Sequence, residues 1–235
     1  MRSAPIRPLS ALAAATGGMI FLSCPTSAAA QFSGTVTLTT DYVWRGSSQT
    51  RQSPAAQVGV KYALPSGLYA SVWGSNVKFR PDNGAASEFD LALGWAGKLS
   101  DDWALDLYGL RYQYPRANAA LNWNEVNLAL SWRDRAWLSV GHSSNAMASG
   151  GHGTYVLLGA RHPLNEQWRA EVTLARYLLD RAHAPSYTHG SVGVVWAFKA
   201  PFEARLTVHA TDAAARRLFP GMAGTRAELA LQGAF

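Results

Sequence analysis

Residues 33–44 read Ser-Gly-Thr-Val-Thr-Leu-Thr-Thr-Asp-Tyr-Val-Trp. Gly34, Val36, Leu38, Tyr42 and Trp44 share a mostly apolar face with Thr40, while Ser33, Thr35, Thr37, Thr39 and Asp41 are all polar. Side chains alternate across a strand with a period of two, so this stretch reads as a strand with one oily and one polar face. The pattern returns as Val58, Val60, Tyr62 and Leu64 against Gln57, Gly59 and Lys61. It returns as Phe89, Leu91, Leu93 and Trp95 against Glu88, Asp90, Ala92, Gly94 and Lys98. Three later windows, 125–132, 202–209 and 226–235, repeat it. Charges keep falling opposite the apolar face, and helical periodicity competes in none of these windows.

Extended along the chain, the alternation predicts twelve strands, at 32–44, 54–64, 68–79, 88–98, 103–114, 124–132, 136–142, 154–162, 167–177, 187–198, 202–211 and 224–235. Most are long enough to cross a bilayer when tilted. Short and long connections alternate without a miss. The short ones, such as Pro65-Ser66-Gly67 and Arg133-Asp134-Arg135, are built from turn formers. That sorting predicts an all-β, antiparallel, up-and-down transmembrane barrel with short periplasmic turns and longer extracellular loops. No loop in this reading exceeds twelve residues, too few for an extensive plug.

Aromatic residues follow the same division. Trp95, Trp103, Trp132, Trp137, Trp168, Trp196 and Phe202 lie near the short turns. Tyr42, Trp44, Phe79, Tyr112, Tyr114, Trp123, Tyr177 and Tyr187 lie near the long loops. The expectation is two belts at the two membrane interfaces. Strand 68–79 is irregular, since Tyr69 and Trp73 oppose Leu68, Ala70 and Val72; a bulge or large rings packed inside accounts for it.

Of 235 residues, 48% are apolar and 15% charged, which excludes a disordered tail and is lean in charge for a soluble domain. Arg2 and Arg7, the apolar run from Leu9 to Leu22 and the small residues Ser27 to Ala30 predict a signal peptide over 1–30, with the barrel over 31–235. Cys24, the single cysteine, falls inside that segment, leaving no disulfide or thiol chemistry to the rest. Net charge after removal is +4. No later stretch is apolar enough to span as a helix. Hydrocarbon tolerates only helices and closed barrels, so the expected location is the outer membrane of a Gram-negative bacterium.

Within this frame, Thr39-Thr40-Asp41-Tyr42-Val43-Trp44-Arg45-Gly46-Ser47-Ser48-Gln49-Thr50 resembles the N-terminal signature of the TorF family of porin-like proteins, formerly a proteobacterial family of unknown function. Gly67 to Val77, with Trp73, Gly74 and Asn76, resembles that family's second motif. The resemblance implies an outer-membrane barrel that passes small solutes. It strengthens location more than substrate. Asp41 is expected to face the lumen and Arg45 to sit at the strand-to-loop edge, where an ion pair between them would fix the first loop and Gly46 would ease its turn. The final strand ends on Phe235, the residue expected to serve as an insertion signal for the barrel-assembly machinery.

The polar face carries Asp41, Gln57, Lys61, Glu88, Asp90, Lys98, Asp106, Glu125, Asn127, Arg169, Glu171, Glu203, Arg205, Arg226 and Glu228. A barrel wall must turn these inward, because Arg or Lys facing lipid at mid-bilayer costs about 2–4 kcal/mol. They are the expected pore lining. A closed interior of mutually paired charges, giving a structural or surface-interaction barrel, is the competing reading. Small solutes, outer-membrane lipids and lipopolysaccharide are the expected partners; nucleic acid is not.

A lipid hydrolase is the enzyme alternative. Outer-membrane phospholipase is a twelve-stranded barrel using a His and a Ser two positions apart, a spacing that His142 and Ser144 share. Nothing else of that pattern is present, so no catalytic residue is assigned. The remaining histidines are scattered without ligand spacing, and neither a metal nor a cofactor is expected.

Overall fold

The computed structural model describes residues 30–235, so the expected signal peptide, Cys24 included, lies outside the described residues apart from Ala30. The strands are β1 (Gln31–Thr39), β2 (Val43–Trp44), β3 (Ser47–Ser48), β4 (Ala55–Ala63), β5 (Leu68–Asn76), β6 (Ser87–Lys98) and β7 (Trp103–Gln113). There follow β8 (Trp123–Trp132), β9 (Ala136–Ser143), β10 (Gly153–Pro163), β11 (Trp168–Leu179), β12 (Tyr187–Lys199), β13 (Phe202–Thr211) and β14 (Arg226–Ala234). Twelve of them close into one antiparallel barrel, each paired with its sequence neighbour, while β2 and β3 form a separate hairpin. A single helical turn, α1 (Ala213–Leu218), lies in the β13–β14 loop, N-capped by Asp212, which accepts from the Ala215 amide.

The seam joins β1 to β14, in register from Thr35 opposite Ala234 to Thr39 opposite Ala230. Gly34 and Phe235 exchange both backbone hydrogen bonds, at 2.7 and 3.0 Å. The Phe235 ring lies over Gly34, where a Cβ would stand 2.5 Å from it.

Outside the barrel the alternation produces a continuous apolar belt. Leu93 is 72% exposed and Leu174 61%, in line with Val36, Val58, Val126, Leu158, Val192 and Leu229. Side chains this greasy, ringed around every wall, are solvated by lipid rather than water. At the periplasmic end Trp103, Trp132, Trp168, Trp196 and Phe202 extend the belt outward, with Trp168 and Trp196 stacked at 5.6 Å.

The second belt is not there. Tyr42, Trp44, Tyr112, Trp123, Tyr177 and Tyr187 are buried inside the barrel, as is Trp137 from the other set. Tyr112, Trp123 and Tyr177 share the parity of the inward Asp106, Glu125 and Glu171 on their strands, so the alternation that turns a carboxylate inward turns these rings inward too, whereas Tyr42 and Trp44 are inside because the chain leaves the wall after Thr39. Strand β5 obeys the same rule: Tyr69 and Trp73 point inside, so rings and not a bulge explain its irregular pattern.

The expected first strand departs most from the structure. β1 stops at Thr39, and residues 41–50 run inside the barrel, every one of them buried. The first loop is therefore a plug, against the expectation drawn from its length. A two-strand hairpin packed broadside needs few residues to cross an interior this narrow.

Candidate functional site in the barrel interior

The plug is the β2–β3 hairpin. Its turn is Arg45-Gly46, with φ of 47° and 81°, the positive values a tight two-residue hairpin turn requires. Ser48 donates its amide to Met222 O at 2.7 Å, and Ser47 bridges to Ala223, tying the hairpin to the β13–β14 loop. Gln49 O accepts from the Lys78 amide at 2.7 Å, and the Arg51 guanidinium donates to Phe79 O, tying its base to the β5–β6 loop. Asn76 accepts from the Ala56 amide and donates to Pro54 O, pinning the return into β4.

Asp41 and Arg45 do not pair, which corrects the expected ion pair. Asp41 instead accepts from Ser48 Oγ at 2.5 Å and Thr50 Oγ1 at 2.9 Å, closing the hairpin's own base, with Arg226 Nη1 at 3.4 Å. Arg45 is not at a strand edge either. It reaches across the lumen, where its Nη2 lies 2.6 Å from Glu125 Oε1. Its guanidinium carbon stands 4.1 Å from the Tyr155 ring centre, 4.6 Å from Trp44 and 4.7 Å from Tyr177, an aromatic cage that replaces part of its lost hydration. Tyr187 donates its hydroxyl to Arg45 O at 3.1 Å. Of the other motif residues, Tyr42 packs edge-on against Trp73 at 5.3 Å, Gln49 donates to Ser47 O, and Gly74 lies under Phe89.

The remaining charges divide by wall. Glu88, Asp90, Asp106, Glu125 and Asn127 face inward from β6 to β8 and are buried. Tyr114 donates to Glu88 and Tyr69 to Asp106, while Lys61 Nζ on β4 sits 3.8 Å from the Tyr69 ring centre. Around β10 to β13 the wall is basic. Arg169 holds Glu203 through both oxygens at 2.8 and 2.7 Å and Glu171 at 2.9 Å, and Arg205 holds Glu171 at 2.6 Å. Near the seam, Glu228 takes bonds from Thr39 and His209, both at 2.9 Å. Gln57 is half-buried; Lys98 is exposed at the periplasmic rim.

Arg161, Trp137, Tyr155 and His209 also face this interior and were not among the sequence candidates. On β10 the inward set is Tyr155, Leu157, Gly159 and Arg161. It offers no polar–apolar contrast with the outward set, so only parity carried on from neighbouring strands could have found it.

His142 points outward at the rim, its Nδ1 2.9 Å from Thr154 Oγ1, and Ser144 is exposed in the following loop. Among the described residues no group of three or more His, Cys, Asp or Glu is placed to hold a metal ion.

A family profile described as "Bacterial protein of unknown function (Gcw_chp)" matches residues 24–235. The chain belongs to the Gcw_chp family. No curated protein sequence matches this Gcw_chp chain. Among solved structures, the KdgM porin superposes with a TM-score of 0.57 at 8% identity, over 86% of this chain and 99% of that one. A KdgM porin in complex with disordered oligogalacturonate gives 0.56 at 7%, over 87% and 98%. The NanC porin gives 0.55 at 9%, over 87% and 98%. At these identities the likeness is one of fold.

Proposed function

We propose that this Gcw_chp barrel is an outer-membrane channel for passive diffusion of small hydrophilic solutes or ions, narrowed by the 40–54 loop. The observation that carries the reading is the closed wall itself, apolar outward and ionisable inward at both ends. A barrel serving only as an anchor gains at least as much stability from a plain apolar filling, because buried ion pairs rarely outperform hydrophobic packing. The TorF-like motifs and the porin-like fold point the same way. Asp106, Arg169, Glu171, Glu203 and Arg205 would then form the periplasmic part of the path. Lipids and lipopolysaccharide would surround the belt, and Phe235 at the seam would be read by the insertion machinery.

One observation favours a non-conducting structural barrel, namely the burial of residues 41–50 inside the wall. Single-channel recording in planar bilayers separates the two. Discrete steps are expected from the folded protein. Glu125→Gln deprives Arg45 of its counter-charge, loosens the hairpin and raises the unit conductance. Folded barrels silent in both forms would sink the channel reading.

A further inference from the structure

We propose that the periplasmic half of the lumen contains an anion site centred on Arg161, whose donors and charge suit a small solute bearing one carboxylate. Arg161 projects from β10 opposite Glu171 of β11 and is only 8% exposed. Glu171 forms no ion pair with it: one oxygen accepts from Arg169 and the other from Arg205. Glu203 spends both oxygens on Arg169. Asp134, on the periplasmic turn, also acts electrostatically on Arg161 but forms no ion pair with it. Three guanidiniums thus face two carboxylates, both engaged by Arg169 and Arg205, and one positive charge is left over.

The donors left without an acceptor lie on the same walls. They are Nε and Nη1 of Arg161 and Nη2 of Arg205, which stands 3.9 Å from Glu203 Oε2. Beside them on β9, Trp137 Nε1 and Ser139 Oγ are buried and equally unsatisfied. The Arg161 guanidinium stands 5.0 Å from the Trp137 ring centre. Buried polar groups ordinarily find partners, and a buried charge does so above all. A single surplus charge matches a monoanion, and guanidinium and indole N–H groups suit a carboxylate. The site rests on the channel reading only for the ligand's route in.

Isothermal titration of the detergent-refolded protein with D-glucuronate, against D-glucose as the neutral match, tests it. Wild type should bind glucuronate saturably and glucose not at all. Arg161→Gln should weaken glucuronate binding at least tenfold, whereas Arg176→Gln, on the outer face of β11, should not. Equal binding by Arg161→Gln, or by glucose, overturns the site, as does no binding to wild type. Should Arg161→Gln fail to fold, the Trp137 indole N–H resonance of the wild type decides, since it must shift with glucuronate and not with glucose. A protein that conducts yet fails these tests loses the site and keeps the channel; one that binds without conducting does the reverse.

Discussion

Gly46 carries the tip of the inserted hairpin at φ of 81°, pressed against the far wall. A Cβ there would stand 2.8 Å from both His189 Cβ and Thr211 Cγ2, so position and conformation both demand glycine. Gly46→Ala should cost about 1–3 kcal/mol, the range for a strained backbone residue held in place by its surroundings. Equilibrium urea unfolding from lipid vesicles measures it. An unchanged midpoint would mean that the tip does not seat on β12 and β13. Arg45 beside it is no more replaceable, because three rings and Glu125 contact a flat guanidinium that lysine cannot imitate.

Among the connecting elements, the periplasmic turns are the plainest. Arg133 donates twice to Asp102, at 2.7 and 3.0 Å, linking the β6–β7 and β8–β9 turns. That hydrogen bond holds the Asp102 carboxyl below its ordinary range, partly opposed by desolvation and helped by the charge of Arg133. Because the folded value is depressed, the link's contribution is present above the unfolded pKa of about 3.9 and is lost as pH falls through the lowered value. Carboxyl chemical shifts should show Asp102 titrating below the ordinary aspartate range, and Arg133→Gln should bring its midpoint back up. A normal Asp102 midpoint in the wild type would show the link to be absent in solution. The long loops do something else, since those after β5 and β13 clasp the hairpin's base and face.

At the scale of the whole molecule, the belt and the interior are two readings of one alternation. Leu174 lies mid-strand on β11, facing out. Leu174→Arg should therefore destabilise the vesicle-folded barrel by about 2–4 kcal/mol, the cost of arginine at the bilayer midplane. Urea titration in vesicles gives the number, and a negligible effect would place that face in water. Inside, β7 and β13 stand six strands apart in a ring of twelve, so the acidic and basic walls oppose one another. The hairpin spans that gap at its upper end and leaves the arginines of β10, β11 and β13 below it.

Period-two alternation determined by itself that this chain is a barrel, roughly where its strands lie and which residues turn inward, because strand geometry makes parity a local property. Asp106, Glu125, Arg169 and Arg205 were legible on that ground alone. Parity says nothing of depth or of partner. The Asp41–Arg45 pair read from proximity gave way to Ser48 and Thr50 on one side and to Glu125, eighty residues on, at the other. The rings near the long loops were placed at the membrane interface by their position along the strand, when the parity of Tyr112, Trp123 and Tyr177 already turned them inside; Tyr42 and Trp44 followed the hairpin inward against theirs. Only closure of the ring brought β8, β10 and β11 within reach of residues 41–50, and so decided that the first loop fills the lumen. Closure also left Arg161 beside carboxylates already taken, since which charge goes unpaired depends on distances among strands far apart in the chain.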